Sequence, residues 1–495
     1  MTDETRFTRV GSLPKTTTAT PQLPQVLTRV VWLLWVSSLV VASLRLSGSE
    51  NWSLLGLFSV DGLTVVMWVV VTFFSGIVHS YSRRYMAGDS ALNKFFGNVF
   101  AFTLVVMALV ATDSLAVFAV LWLTMGLVMA NLIGHVDSWH HARTAAAHAR
   151  RYFAGSSALL AVAFATLWWE TGASTVSAVA SAEIAPTGTV LFAVAMLLLA
   201  AMIQSALLPF HTWLLSSMTA PTPASALMHA GFVNAGGILL LRFAPVVTVD
   251  RGFMLAIVVV GATSALLGKL LKTVQTDVKG KLGCSTVGQM GFMFMQAGLG
   301  FFGAAITHLI LHGFYKAYQF LSAGGTVEQG SPDGKSAAKQ SVGVTGFVVT
   351  VLTALAGGAL FAVTTGEGTA FDSGLLLAGL VVLTTMHATR ETIRHAALPT
   401  FLRFGAIPLV FLPAIGMYAF VYKTIEHALV GVPFVTAPTE LTLVHAVVAA
   451  AFVLAYATIE SGVYRRSTRL YMALVNATRP ASGTTVTTRE EYNEH

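Results

Sequence analysis

Three titratable nitrogens recur at four-residue spacing in HLILHGFYKAYQF (308–320): His308, His312 and Lys316. Four residues turn a helix by about 400°, so each step drifts only about 40°. The three therefore share one face along about 12 Å of axis. Two imidazoles and an amine in a row can pass a proton. Imidazole titrates near neutral pH, and an amine desolvated in an apolar medium releases its proton near pH 7. Bonding to neighbouring helices is the plainer alternative; three groups in register favour the relay. His229, in SALMHAGFVNAGG (225–237), is a second candidate. Asn234 and the small residues Gly231, Ala235, Gly236 and Gly237 follow it, and small residues let helices approach closely. Gln204, five residues before Pro209, can bridge a water chain but carries no net charge. His211 follows in PFHTWLLSSMTAPTP (209–223). Ser285, Thr286 and Gln289 can hold water or bond between helices. His387 lies with Arg390 and Glu391 at the end of an apolar segment, where snorkelling accounts for the arginine.

Such groups need an apolar frame. The chain has 495 residues, 55% hydrophobic and only 10% charged, against about 25% charged in soluble domains. Mean hydropathy is +0.73. This excludes a soluble enzyme and a disordered chain. The apolar runs are long and continuous, so they read as helices and not as barrel strands. The expected fold is an all-α polytopic membrane protein with about 14 transmembrane helices. The segments fall near 26–46, 62–80, 95–112, 114–134, 154–170, 188–208, 223–241, 252–272, 282–300, 302–324, 341–363, 373–389, 403–422 and 441–460. Asp113 and the Gly300-Phe301 turn separate the closest pairs. Residues 209–223 carry three prolines and read as a discontinuous helix of the kind that marks transport sites, or as a surface loop. The division is a flexible tail over 1–25, a membrane domain over 26–460 and a basic tail over 461–495.

Charge sorts by side. With loops alternating, one set holds Arg6, Arg9, Lys15, Arg83, Arg84, Lys94, Arg143, Arg150, Arg151, Lys279, Lys281, Lys335, Lys339, Arg394, Arg403, Arg465, Arg466 and Arg469. The other holds Glu50, Asp61, Asp113, Glu170, Glu183, Glu367, Asp372 and Glu440, with Arg251 as the exception. The positive-inside rule then predicts both termini cytoplasmic. The first 25 residues have no small-residue cleavage site after them, which argues against a removed signal peptide. Residues 135–151 (HVDSWHHARTAAAHARR) are expected as a basic, histidine-rich cytoplasmic loop, facing a partner or lipid, with metal binding as the alternative.

A single cysteine, Cys284, argues against an iron–sulfur cluster or a cysteine-based zinc site. No Asp or Glu falls mid-segment, which favours protons over hard cations. His308 and His312 face the same way, which disfavours bis-histidine haem. No nucleotide-binding glycine fingerprint appears. No cofactor, no metal site and no nucleic-acid partner are expected in this chain, and it is not expected to be an enzyme.

LLPFHTWLLSSMTAPTPASALMHAG (207–231), VQTDVKGKLGCSTVGQMGFMF (274–294) and HLILHGFYKAYQFLSAG (308–324) resemble the proton-conducting antiporter-like subunits of respiratory complex I and of multisubunit cation/proton antiporters. VDGLT (60–64) and IVHSYSRRYM (77–86) match that family's early helices. The resemblance covers roughly residues 55–325. HAGFVNAGGILLLRFAP (229–245), the histidine-rich loop and the short length are similar to one branch, the membrane subunit of the DAB inorganic-carbon accumulation complex.

The resemblance implies inverted repeats with discontinuous helices, and a proton pathway through His211, His229, His308, His312 and Lys316. It implies a large peripheral zinc-containing subunit, similar to β-carbonic anhydrases, on the cytoplasmic face of the cell (inner) membrane. The zinc would belong to that partner. Proton flow would drive carbon dioxide hydration to bicarbonate there. The sequence departs from the family at two charged positions: the fourth-segment glutamate falls on Leu123, and the lysine before the LP-H-W motif falls on Gln204. The family's later lysine has no counterpart near 352–367. A single hybrid route is therefore expected in place of two half-channels. The alternatives are a complex I or cation/proton antiporter subunit, and a non-conducting membrane anchor.

Overall fold

The computed structural model describes residues 22–48, 52–54, 56–323, 343–395, 400–429, 431–462 and 467–480. Most of the 1–25 tail, Lys335, Lys339, Arg465, Arg466 and the last fifteen residues lie outside them. Each of the fourteen apolar segments coincides with a helix or a broken helix. In chain order these elements are α1 (Gln22–Ser47), α2 (Gly62–Tyr85), α3 (Leu92–Ala111), α4 (Leu115–Ile133), α5 (His140–Thr171), a short α6 (Val176–Ser181) and α7 (Gly188–Gln204). An elbow carries α8 (Thr212–Ser216) and leads into α9 (Thr222–Ala230), α10 (Ala235–Arg242) and α11 (Ala244–Val247). Then come α12 (Arg251–Thr273), α13 (Val278–Gly298), α14 (Phe302–Leu321), α15 (Val344–Thr365), α16 (Gly374–His395), α17 (Thr400–Ala428), α18 (Leu443–Ser461) and α19 (Thr468–Ala477). Nine helical stretches among the described residues are long and apolar enough to cross a membrane. In α13 and α14 the length suffices, but His, Lys and Gln side chains lower the hydropathy.

One expectation needs correction. Residues 140–151 are not a loop. They extend α5 to 32 residues, because the run ARTAAAHARR is rich in the strongest helix formers. His141 there is 2% exposed, and His135 pairs with Asp89 at 3.2 Å, so neither is a solvated loop side chain. Within the 461–495 segment lies α19, whose Leu474 packs among Leu215, Leu271 and Cys284. The all-α expectation holds; one small antiparallel hairpin accompanies the helices, in which Trp52 pairs with Val60 and Leu54 with Phe58.

The proline-rich stretch is a genuine interruption. After Gln204 the chain turns through residues 205–211, runs as α8 and a 3-10 turn, and re-enters as α9. The segment expected as continuous over 223–241 is itself broken by a 3-10 turn at Phe232–Asn234. The Asn234 amide donates to the Ala230 carbonyl at 2.7 Å, which satisfies one backbone group that the break frees. The two interruptions touch: Ser205 Oγ donates to the Val233 carbonyl at 2.6 Å.

Close packing sets the position of α13 and α14. A Cβ on Gly261 would lie 2.7 Å from the Gly291 carbonyl, so α12 and α13 meet backbone to backbone, as small-residue helix pairs do in membranes. A Cβ on Gly313 would meet the Phe74 ring and the Ala230 carbonyl at about 3 Å. This seats α14 against both α2 and the broken α9.

Candidate functional site

The titratable row lies inside the bundle. Lys316 is 0% and His312 5% exposed. The His308 and His312 rings are parallel within 25°, with centroids 6.1 Å apart, as the i,i+4 spacing requires. Lys316 Nζ donates to the Leu282 carbonyl at 2.9 Å.

That carbonyl links the row to the broken helix. Thr286 Oγ1 also donates to it, at 2.9 Å. Thr286 Oγ1 in turn lies 2.9 Å from His229 Nδ1. With its hydroxyl proton committed to Leu282, Thr286 must accept from His229, so Nδ1 carries the hydrogen and Nε2 is left as an acceptor. His229 is completely buried and stacks on Phe320, centroids 4.4 Å apart. A continuous polar chain therefore runs from Lys316 through Leu282 and Thr286 to His229.

Several buried polar atoms along this chain have no protein hydrogen-bond partner among the described residues: His229 Nε2, His308 Nε2 and both ring nitrogens of His312. Both amide atoms of the fully buried Gln204 are in the same position. Buried polar atoms are satisfied by water when protein does not supply a partner. The row thus has free hydrogen-bonding capacity at buried ring nitrogens.

At its His308 end the row opens on a cavity of about 610 Å³ between α12, α13, α14, α16, α17 and α18. Ser285, Gln289 and His387 line this cavity with His308. Thr286, and not Ser285 or Gln289, contacts His229. His387 Nε2 accepts from Lys269 Nζ at 2.9 Å.

The remaining expected residues are elsewhere. His211 lies in the elbow, where Nε2 donates to the Ala477 carbonyl of α19 at 2.9 Å and Nδ1 faces the Pro209 carbonyl at 3.3 Å. Asn234 borders a separate, mostly apolar cavity of about 40 Å³ between α2, α3, α4, α9 and α10. Leu123, at the family's glutamate position, is 36% exposed on the outer face of α4, while the preceding Trp122 is buried and donates to Ser156 at 3.0 Å.

Residue-level reading missed Lys269, Lys272 and Gln296, all lining the large cavity. Lys269 stands four residues before the end of α12, inside an apolar run, and that was the available signal. It also missed His79, 1% exposed on α2, whose Nδ1 lies 2.8 Å from the Ser75 carbonyl.

A family model described as "NADH:quinone oxidoreductase/Mrp antiporter, TM" matches residues 112–359. The chain belongs to this family. A second model, "NADH-Ubiquinone oxidoreductase (complex I), chain 5 N-terminus", matches residues 50–96. The chain is 37% identical over 301 residues to a "Probable inorganic carbon transporter subunit DabB1" of Halothiobacillus neapolitanus, covering 59% of this chain and 54% of that protein. It is 36% identical over 304 residues to the DabB counterpart of Bacillus subtilis, 59% and 58% covered. It is also 35% identical over 275 residues to NADH-quinone oxidoreductase subunit L of Mycobacterium tuberculosis, 54% and 43% covered. The chain thus spans little more than half the length of the DabB relatives it matches. The structure of the Mrp complex from Dietzia sp. DQ12-45-1b shares the fold, with TM-score 0.56 and 22% identity over 96% of this chain and 52% of that one.

Proposed function

We propose that this chain is the proton-conducting membrane subunit of an inorganic-carbon uptake complex. The observation that carries the reading is the buried chain His308–His312–Lys316–Leu282–Thr286–His229, with ring nitrogens that no protein group among the described residues satisfies, open to a cavity at one end. Ionisable groups at membrane depth are costly and mark transport paths. The DabB relatives supply the carbon context. Protons enter by the cavity, exchange at His308 and His312 through water, and reach Lys316. Thr286 offers a hydroxyl between the Lys316 carbonyl partner and His229. Gln204, beside the junction of the two broken helices, holds water there.

In this reading the chemistry of carbon belongs to a peripheral zinc-containing carbonic anhydrase-like partner on the cytoplasmic face, with both termini of this chain on that side. Proton flow would make hydration of carbon dioxide one-way. The chain itself transports and does not catalyse.

A second reading, a subunit of complex I or of a cation/proton antiporter, is favoured by the 35% identity to subunit L and by the Mrp fold. One experiment separates them. The chain is purified with whatever binds it, the partner is identified by mass spectrometry, and proton flux is measured in liposomes. A zinc protein, with flux abolished by Lys316→Ala, is expected. Respiratory or antiporter subunits in its place would support the second reading. Undiminished flux in assembled Lys316→Ala complexes would refute conduction through this row.

A further inference from the structure

The large cavity has two unlike walls. The wall from α12, α13 and α14 is polar and cationic, with Lys269, Lys272, Gln289, Gln296 and His308. The wall from α16, α17 and α18 is largely apolar, with Leu377, Leu380, Val381, Phe411, Ile415 and Phe452. No Asp or Glu lines it among the described residues. Lys272 forms no ion pair among the described residues. Water alone does not need an apolar wall, and a free small anion would leave most of the space unused. The volume of about 610 Å³ lies within the roughly 300–1,000 Å³ of small-molecule sites.

We propose that this cavity binds an amphiphilic anion, an acyl chain with a carboxylate or phosphate head. The head sits at Lys269, Lys272 and His387: Lys269 and His387 are bonded at 2.9 Å, and Lys272 follows Lys269 by about one helical turn on the same cavity wall. The chain runs along α16 toward Leu380 and Leu377. These lie seven and ten residues from His387, a span of about 10–15 Å at helical rise. A carboxylate or phosphate meets the ammonium groups by charge-assisted hydrogen bonds, and its hydrocarbon is removed from water against the leucine and phenylalanine side chains. His308 lies on the same cavity, so an occupant displaces the water beside the first station of the row and slows proton flow. This consequence rests on the conduction reading; the binding itself does not.

The test uses the full chain with its co-purifying partners, stripped of lipid and returned to detergent. Palmitate and palmitoyl-lysophosphatidylglycerol are the two head-group arms. Hexadecanol supplies the tail without charge, and acetate supplies the head without tail. We expect saturable one-site binding of at least one charged amphiphile, with hexadecanol and acetate about tenfold weaker or worse. The tighter of the two charged arms identifies whether a free acid or a lipid headgroup is the source. Lys272→Gln and Leu380→Trp each weaken binding about tenfold, while Leu409→Trp, at a residue 76% exposed on the outer surface, leaves it unchanged. Equal binding of hexadecanol and palmitate, or undiminished binding in Leu380→Trp, overturns the proposal. Should a variant fail to fold, photoreactive palmitate on the unaltered protein decides. Crosslinks on the cavity faces of α16 to α18 support the site, and crosslinks confined to the outer surface refute it. Bound ligand that leaves flux in liposomes unaltered would count against the conduction reading without touching the site.

Discussion

The Lys316 ammonium and the Leu282 carbonyl are joined at 2.9 Å across the contact between α14 and α13. Because Thr286 shares that carbonyl, one backbone oxygen holds two of the polar side chains in the path. It fixes the amine relative to His229 without any carboxylate.

Thr286→Val keeps the shape and removes the hydroxyl. His229 Nδ1 then loses its partner, at a cost of about 1–3 kcal/mol for a buried donor. Proton flux in liposomes is expected to fall about tenfold or more, with Thr286→Ser restoring it. Equal flux in the valine variant would mean the chain bypasses His229.

Lys316→Met tests whether the lysine serves stability or transport. The Leu282 carbonyl keeps the Thr286 hydroxyl when the amine is removed, and methionine spares the desolvation cost of a buried ammonium. We expect an unchanged or raised melting temperature with flux lost. A melting temperature lowered by several degrees, with flux intact, would assign Lys316 a purely structural role.

Asp61 caps α2 through the Thr64 amide at 2.9 Å and is ion-paired with Arg242 at the end of α10. The Arg242 guanidinium also reaches Thr64 Oγ1 at 2.9 Å. Asp61→Asn strands that guanidinium, and breaking a buried pair typically costs about 3–5 kcal/mol. Thermal unfolding in detergent should show the loss, and Asp61→Leu combined with Arg242→Met should recover part of it.

Gly291→Leu drives a side chain into the α12 backbone, where Gly261 O would lie 2.6 Å from the new Cβ. Overpacking of this kind costs about 1–3 kcal/mol or more. Expression of a monodisperse protein should drop, whereas Gly155→Leu, with open space around it, should be tolerated.

Long apolar runs made the fourteen segments visible, and the four-residue spacing placed His308, His312 and Lys316 on one face. Both follow from local periodicity. What spacing could not supply was partnership across the bundle. Thr286 and Ser285 are adjacent in sequence, yet only Thr286 turns toward His229, because the α12–α13 glycine contact sets the rotation of α13. Lys269 was hidden by its position near a helix end, where a snorkelling lysine looks the same. The helical run 140–151 was obscured by its charges: loop composition and an exposed helix face share residue types, and alanine content was the better guide.

The length of α5 has one more result. Thirty-two residues at about 1.5 Å each make a rod of about 48 Å, well beyond the roughly 30 Å of a hydrocarbon layer. His148 and Tyr152, on the overhanging turns, both reach Thr212 at the start of α8, at 3.3 and 3.0 Å. The overhang and the elbow are thus riveted into one stiff piece, so whatever grips the protruding stalk also holds the bend that leads from Gln204 into the membrane's interior.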